Sequence, residues 1–79
     1  MNKRVYQAVI SGKSDNNIDY KDFQNLILSL GFKLQRQKGS HVRYRHNGVK
    51  KAMSIQKDGN KAKPYQVKQL RNIIINNNL

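Results

Sequence analysis

Cysteine and tryptophan are both absent from this 79-residue chain. Without thiols there is no disulfide framework and no thiolate metal site, a pattern that fits a reducing cytosol. Acidic side chains are nearly as scarce: Asp15, Asp19, Asp22 and Asp58 stand against sixteen lysines and arginines, a formal charge of +12. So few carboxylates argue against a metal site, and two of them, Asp19 and Asp22, are accounted for by a helix start. There is no Ser-His-Asp set and no glycine-rich loop of nucleotide-binding form, so no cofactor is expected. No apolar run approaches the length of a membrane span. The opening MNKRVYQAVISGK also lacks the apolar stretch of a signal peptide, so a cytoplasmic protein without a membrane partner is expected. With 37% hydrophobic residues and two phenylalanines, the chain can build one small core as a single domain over 1–79. A deep substrate cavity is excluded. Chemistry on an open surface or in a shallow groove suits a polymeric substrate.

What is present is positive charge, in an amount that points to a nucleic acid. The apolar residues define the elements that carry it. Val5, Ala8 and Val9 fit a short amphipathic helix ending at Gly12, followed by the polar connection KSDNNID. Asp19 reads as an N-cap, and Tyr20, Phe23, Ile27 and Leu30 recur at helical steps until Gly31 ends the helix. From Phe32 the period becomes two, with Phe32 and Leu34 on one face and Lys33 and Gln35 on the other. The chain turns near Lys38-Gly39. A second strand is expected over about Ser40–His46, an Asn47-Gly48 hairpin turn after it, and a third strand from Val49 to about Gln56. KDGNKAK reads as a basic loop, Pro64 as the first position of a last helix with Val67, Leu70 and Ile74 inward, and NNNL as a fraying tail. The fold class is α+β, in the order ααβββα.

A two-residue Asn47-Gly48 loop fixes the register by counting. It sets Arg45 opposite Lys50, Val42 opposite Met53 and His41 opposite Ser54. Val42, Tyr44, Val49 and Met53 then face the core. His41, Arg43, Arg45, Lys50 and Ser54 face solvent, joined by Lys33 from the neighbouring strand. Like charges across strands cost about 0.2–1 kcal/mol, and a phosphate between them would offset that. A histidine in such a row adds what lysine and arginine lack, a proton that moves near neutral pH. His46 falls on the core side at the hairpin tip, as a cap on the sheet.

LGF at 30–32, RQKGSH at 36–41, the alternation through Tyr44 and the helix KPYQVKQLRNII at 63–74 resemble the HicA toxins of bacterial toxin–antitoxin systems, over about Asp19 to Ile75. The resemblance implies a fold like the double-stranded-RNA-binding domain, with helices on one face of a three-stranded antiparallel sheet. It also implies endoribonuclease activity on messenger RNA, with His41 in the catalytic position, and neutralisation by a HicB-type antitoxin. Many HicA chains carry a Pro-x-His segment after the third strand; Ile55-Gln56-Lys57-Asp58 stands there here, so no second histidine is supplied.

The residues support a metal-independent mechanism in which His41 takes the proton of a ribose 2′-hydroxyl while Arg43 and Arg45 stabilise the phosphorane. Lys33, Arg43, Arg45 and Lys50 on the sheet would bind the RNA. Lys61 and Lys63, before the last helix, would grip its backbone further on, with Lys57, Lys68 and Arg71 nearby. The competing expectation is a non-catalytic RNA-binding module of the same fold, docking by shape and phosphate contacts.

Overall fold

The computed structural model describes residues 2–79. The first helix, α1 (Lys3–Ser11), starts where the Asn2 side chain accepts from the backbone amides of Arg4 and Val5 at 3.0 and 3.3 Å, and it buries Val5 and Val9. After a 3-10 turn at Asp15–Asn17, α2 (Tyr20–Ser29) is capped by Asp19, whose carboxylate accepts from the Asp22 amide. Its buried stripe is Phe23, Leu26 and Ile27. Strands β1 (Lys33–Lys38), β2 (His41–Arg45) and β3 (Met53–Ile55) form an antiparallel sheet in the order β1-β2-β3. A small second ladder, β4 (Lys57–Asp58) with β5 (Lys61–Ala62), precedes α3 (Pro64–Asn77), in which Val67, Leu70 and Ile74 are buried. The class is therefore α+β, with the helices gathered on one face of a three-stranded antiparallel sheet. The core joins helix residues to Val42, Tyr44, Met53 and Ile55 from that face. Among the described residues no helix is long and apolar enough to cross a membrane.

Gly31 is the sharpest sequence requirement in this frame. Its φ is +97°, and a Cβ there would meet the His46 ring at 3.0 Å. Gly31→Ala is expected to cost about 1–3 kcal/mol, read as a lowered urea midpoint at unchanged slope.

The β2–β3 connection differs from the two-residue hairpin expected of Asn47-Gly48. Tyr44 pairs with Met53, Arg43 with Ser54 and Val42 with Ile55, two residues out of the counted register, and β3 is only three residues long. The turn that Asn-Gly favours needs positive φ at both loop positions, and neither Asn47 nor Gly48 has it. The His46 ring holds the loop in another shape. Nδ1 accepts from the Gly48 amide at 2.9 Å, so Nε2 carries the hydrogen and donates to the Leu30 carbonyl at 3.0 Å. The same ring meets Phe32 edge-on, with centroids 5.0 Å apart. His46 thus ties the hairpin end to the α2–β1 junction, while Val49 tucks into the core. A slip of two residues keeps every side chain on its expected face.

Three other expectations are corrected. KDGNKAK is the β4–β5 hairpin rather than a loop. The C-terminal tail is held: the Leu79 amide donates to the Ile74 carbonyl at 3.0 Å, and the Tyr6 hydroxyl donates to the Leu79 carbonyl at 3.1 Å. Arg71 is not a free basic group, because it grips Asp15 through both terminal nitrogens at 2.9 and 3.1 Å and donates to the Val9 carbonyl. That clamp ties α3 to α1 and the 3-10 turn, and bonding to Asp15 holds the guanidinium pKa above its ordinary value.

The Tyr20 hydroxyl is closed off from solvent with no hydrogen-bond partner among the described residues. Burial first, and then the neighbouring Tyr44, raise its pKa. Above the unfolded tyrosine value of about 10 the folded state therefore holds more protons than the unfolded one, so this group lowers stability as pH rises. Tyr20→Phe is expected to be neutral or stabilising at pH 7 and to lessen the alkaline loss, measured by thermal unfolding between pH 7 and 11.

Candidate nucleic-acid interface

The outer face of the sheet, away from the helices, is built by cross-strand pairing. Lys33 pairs with Arg45, Arg36 with Arg43 and Lys38 with His41, and Arg43 is flanked on its other side by Ser54. All of these residues are exposed. A shift of register between Leu34 and Arg36 decides which residues of β1 join them. Plain alternation from Lys33 would send Gln35 and Gln37 outward. The bulge reverses the phase beyond Gln35, so Arg36 and Lys38 face out and Gln37 turns inward opposite Val42. Leu34, expected to share the buried face of Phe32, is 56% exposed at this sheet edge.

Gly39 and Ser40 form the two-residue loop between β1 and β2. Gly39 takes φ +59°, as a primed hairpin turn with glycine in the first loop position requires. His41 is the first residue beyond the loop. Its end of the hairpin is anchored through Ser40, whose hydroxyl accepts from Gln56 Nε2 at 3.1 Å, while Gln56 Oε1 accepts from Lys63 Nζ at 3.1 Å. The Gln56 amide in turn donates to the buried Gln66 side chain. Among the described residues no hydrogen bond restrains the His41 ring, which borders a shallow depression of about 210 Å³ shared with Arg36, Lys38, Arg43 and Ser54.

This face lacks counter-charge. The one ion pair among the described residues is the distant Arg71–Asp15 clamp, and no carboxylate borders the depression. Arg43 Nε donates to Gln35 Oε1 at 3.0 Å, which orients the guanidinium while leaving its terminal nitrogens for an anion. Two cationic pairs directly opposed across strands, Lys33/Arg45 and Arg36/Arg43, are each unfavourable by a few tenths of a kcal/mol to about 1 kcal/mol. An oxyanion set between them relieves that repulsion. Among the described residues no group of three or more His, Cys, Asp or Glu comes together to hold a metal ion.

Of the residues marked in the sequence, His41, Arg43 and Ser54 meet at the depression, and Lys33 and Arg45 extend the same face. Lys50 does not join them. It lies in the loop after His46, and Arg45 is faced by Lys33 instead. Lys61 stands opposite Asp58 on the small hairpin, and Lys63 is engaged with Gln56; neither borders the depression. Arg36 and Lys38 escaped the sequence reading. Counting outward from a Gly39-Ser40 loop finds them, since it sets Lys38 against His41 and Arg36 against Arg43.

The family model of the HicA toxin of bacterial toxin–antitoxin systems matches residues 20–74. No curated protein and no solved structure matches the chain at a significant level. The matched region begins at α2 and ends within α3, so it contains the whole outer face and leaves α1 outside.

Proposed function

The chain belongs to the HicA toxin family, and from that premise we propose that it is a metal-independent endoribonuclease that cleaves messenger RNA on the outer face of its sheet. As a toxin of a toxin–antitoxin system it has an antitoxin partner; in this reading the antitoxin is of the HicB type and the site of action is the cytoplasm. The observation that carries the proposal is the seating of His41, an imidazole in a depression bordered by three cations and a hydroxyl.

RNA brings its own nucleophile. His41 takes the proton from the 2′-hydroxyl as its oxygen bonds to the adjacent phosphorus, and the bond from phosphorus to the 5′-oxygen breaks. The leaving oxygen takes a proton from solvent, because the arginines and lysine around it are poor donors at neutral pH. Arg36 and Arg43, fixed opposite one another, stabilise the charge on the phosphorane oxygens. Lys38, Lys33 and Arg45 hold the flanking phosphates. A positioned base of this kind contributes about 10²–10⁴-fold, which makes a slow nuclease. Fragments should end in a 2′,3′-cyclic phosphate and begin with a 5′-hydroxyl, as read by end-labelling with and without phosphatase treatment. Fragments with 3′-hydroxyl and 5′-phosphate ends would contradict attack by the 2′-oxygen.

The antitoxin reading follows from the same surface. A partner that presents acidic groups to this face neutralises its charge and covers His41, excluding RNA by occlusion.

A further inference from the structure

On the helix side of the Gly39-Ser40 turn lies a second and larger opening, a cleft of about 730 Å³ between the start of α2, the inner side of β1 and the β4–β5 turn. Its chemistry differs from that of the His41 face. Gln24 from α2, Gln37 from β1 and Asn60 from the small hairpin line it together with Asp19. The Asp19 carboxylate also caps α2, and Gln24 Nε2 donates to the Tyr44 hydroxyl at 3.3 Å, which leaves its oxygen as an acceptor. Lys21 and Lys57 also border it. A carboxamide offers a donor pair and an acceptor together, which is what reading a base edge requires. A carboxylate repels phosphate but accepts from the exocyclic amino group of a base. Single-stranded RNA is read in this way, by bases turned out of the chain.

Resting on the nuclease reading above, we infer that this cleft is the subsite that reads a base of the RNA next to the scissile phosphate. The two openings meet at one place. Gly39 and Ser40 border the cleft, His41 borders the depression, and Val42 borders both. The turn is only two residues long, so the linings of the two openings are neighbours in the chain. The turn is open at Gly39, where an added Cβ would meet no atom within 4 Å. A strand bent over Gly39 sets its reacting phosphate beside His41 and an adjacent base in the cleft. The reacting phosphate stays on the His41 face, the base enters between Gln24, Gln37 and Asn60, and Lys21 and Lys57 at the cleft rim meet the next phosphate.

Two readouts separate this inference from the nuclease reading. In the first, cleavage positions on a random-sequence RNA are mapped for the wild type, Gln37→Ala and Asn60→Ala. Gln37 is exposed on an edge strand and Asn60 on a turn, so both variants are expected to keep the thermal unfolding midpoint of the wild type. The wild type is expected to prefer particular bases at one fixed offset from the cut, and the variants to flatten that preference about tenfold. A preference unchanged in both variants overturns the subsite. In the second, which needs no cleavage, the four homopolymeric oligoribonucleotides are titrated into His41→Ala and followed by amide NMR. Shifts at Gln24, Gln37 and Asn60 that differ between the four bases support the subsite even if the wild type cuts nothing. Shifts identical for all four, or absent there, overturn it whether or not the protein is a nuclease.

Discussion

His41→Ala is expected to lose RNA cleavage by about 10²–10⁴-fold in single-turnover experiments at saturating protein, while RNA affinity changes less than about threefold. The two halves of this expectation come from different parts of the site. The imidazole is the one side chain at the depression suited to act as a general base; its neighbours there are Arg36, Lys38, Arg43 and Ser54. In the proposed reading binding rests on the cations, all of which the substitution leaves in place. The fold is also unaffected, because His41 is exposed and its side chain joins none of the contacts that anchor the turn. Those contacts run through Ser40 and Gln56 instead. A variant that lost binding and cleavage together would place His41 in the binding surface and leave the reaction without a base. A comparison with His46→Ala sharpens the result. His46 bonds Leu30 and Gly48 and packs on Phe32, so its removal lowers stability and with it any activity, without a specific catalytic defect.

Replacing Arg36, Arg43 and Arg45 together by glutamine should weaken RNA binding steeply and change its salt dependence. Each phosphate neutralised on a single strand contributes about 0.7 to the slope of log affinity against log salt. Losing three such contacts should therefore flatten the slope by about 2, measured by fluorescence anisotropy with a short oligoribonucleotide between 50 and 300 mM salt. The substitution removes the directly opposed Arg36/Arg43 pair and the Lys33/Arg45 pair, both mildly unfavourable in the unbound protein. The triple variant is thus expected to be at least as stable as the wild type while binding RNA far less well. An unchanged slope would mean that the outer face is only a solvated basic surface. Lys50→Gln is the internal control, since it adds to the net charge but stands outside the sheet pairing and is expected to change the slope by less than about one contact.

The sequence discloses the parts of this site that follow from period and punctuation. The helical stripe of Phe23 and Ile27, the cap at Asp19, the alternation through Val42 and Tyr44 and the outward placement of His41, Arg43 and Ser54 all stand as read. What it conceals are features set by contacts between distant segments. The Asn47-Gly48 pair is a hairpin signal only while its own backbone decides the turn. Here the His46 ring, anchored on Leu30 and Phe32, captures the Gly48 amide and imposes another loop. The bulge that brings Arg36 and Lys38 to the His41 face has no local marker in KLQRQK. Its trace lies in the Gly39-Ser40 loop, which fixes pairing from the other end of the strand. Arg71 and Asp15 are 56 residues apart and each looks solvated in its own segment. The pairing becomes evident only once α3 lies against α1 and the 3-10 turn. The two-residue shift of β3 leaves each side chain on its counted face, because the pleat repeats every two residues, and takes Lys50 out of the pairing with Arg45.

The central claim, that an imidazole on a cationic sheet face cleaves RNA without a metal, is tested most directly by one incubation. Purified protein and 5′-labelled single-stranded RNA are held in excess EDTA at pH 7, beside the same reaction with magnesium and beside His41→Ala. Cleavage by the wild type at equal rates with and without the chelator, and none by the variant, is the predicted result. Absence of cleavage by both proteins, with salt-sensitive binding by both, would contradict the account and leave an RNA-binding module of the same fold.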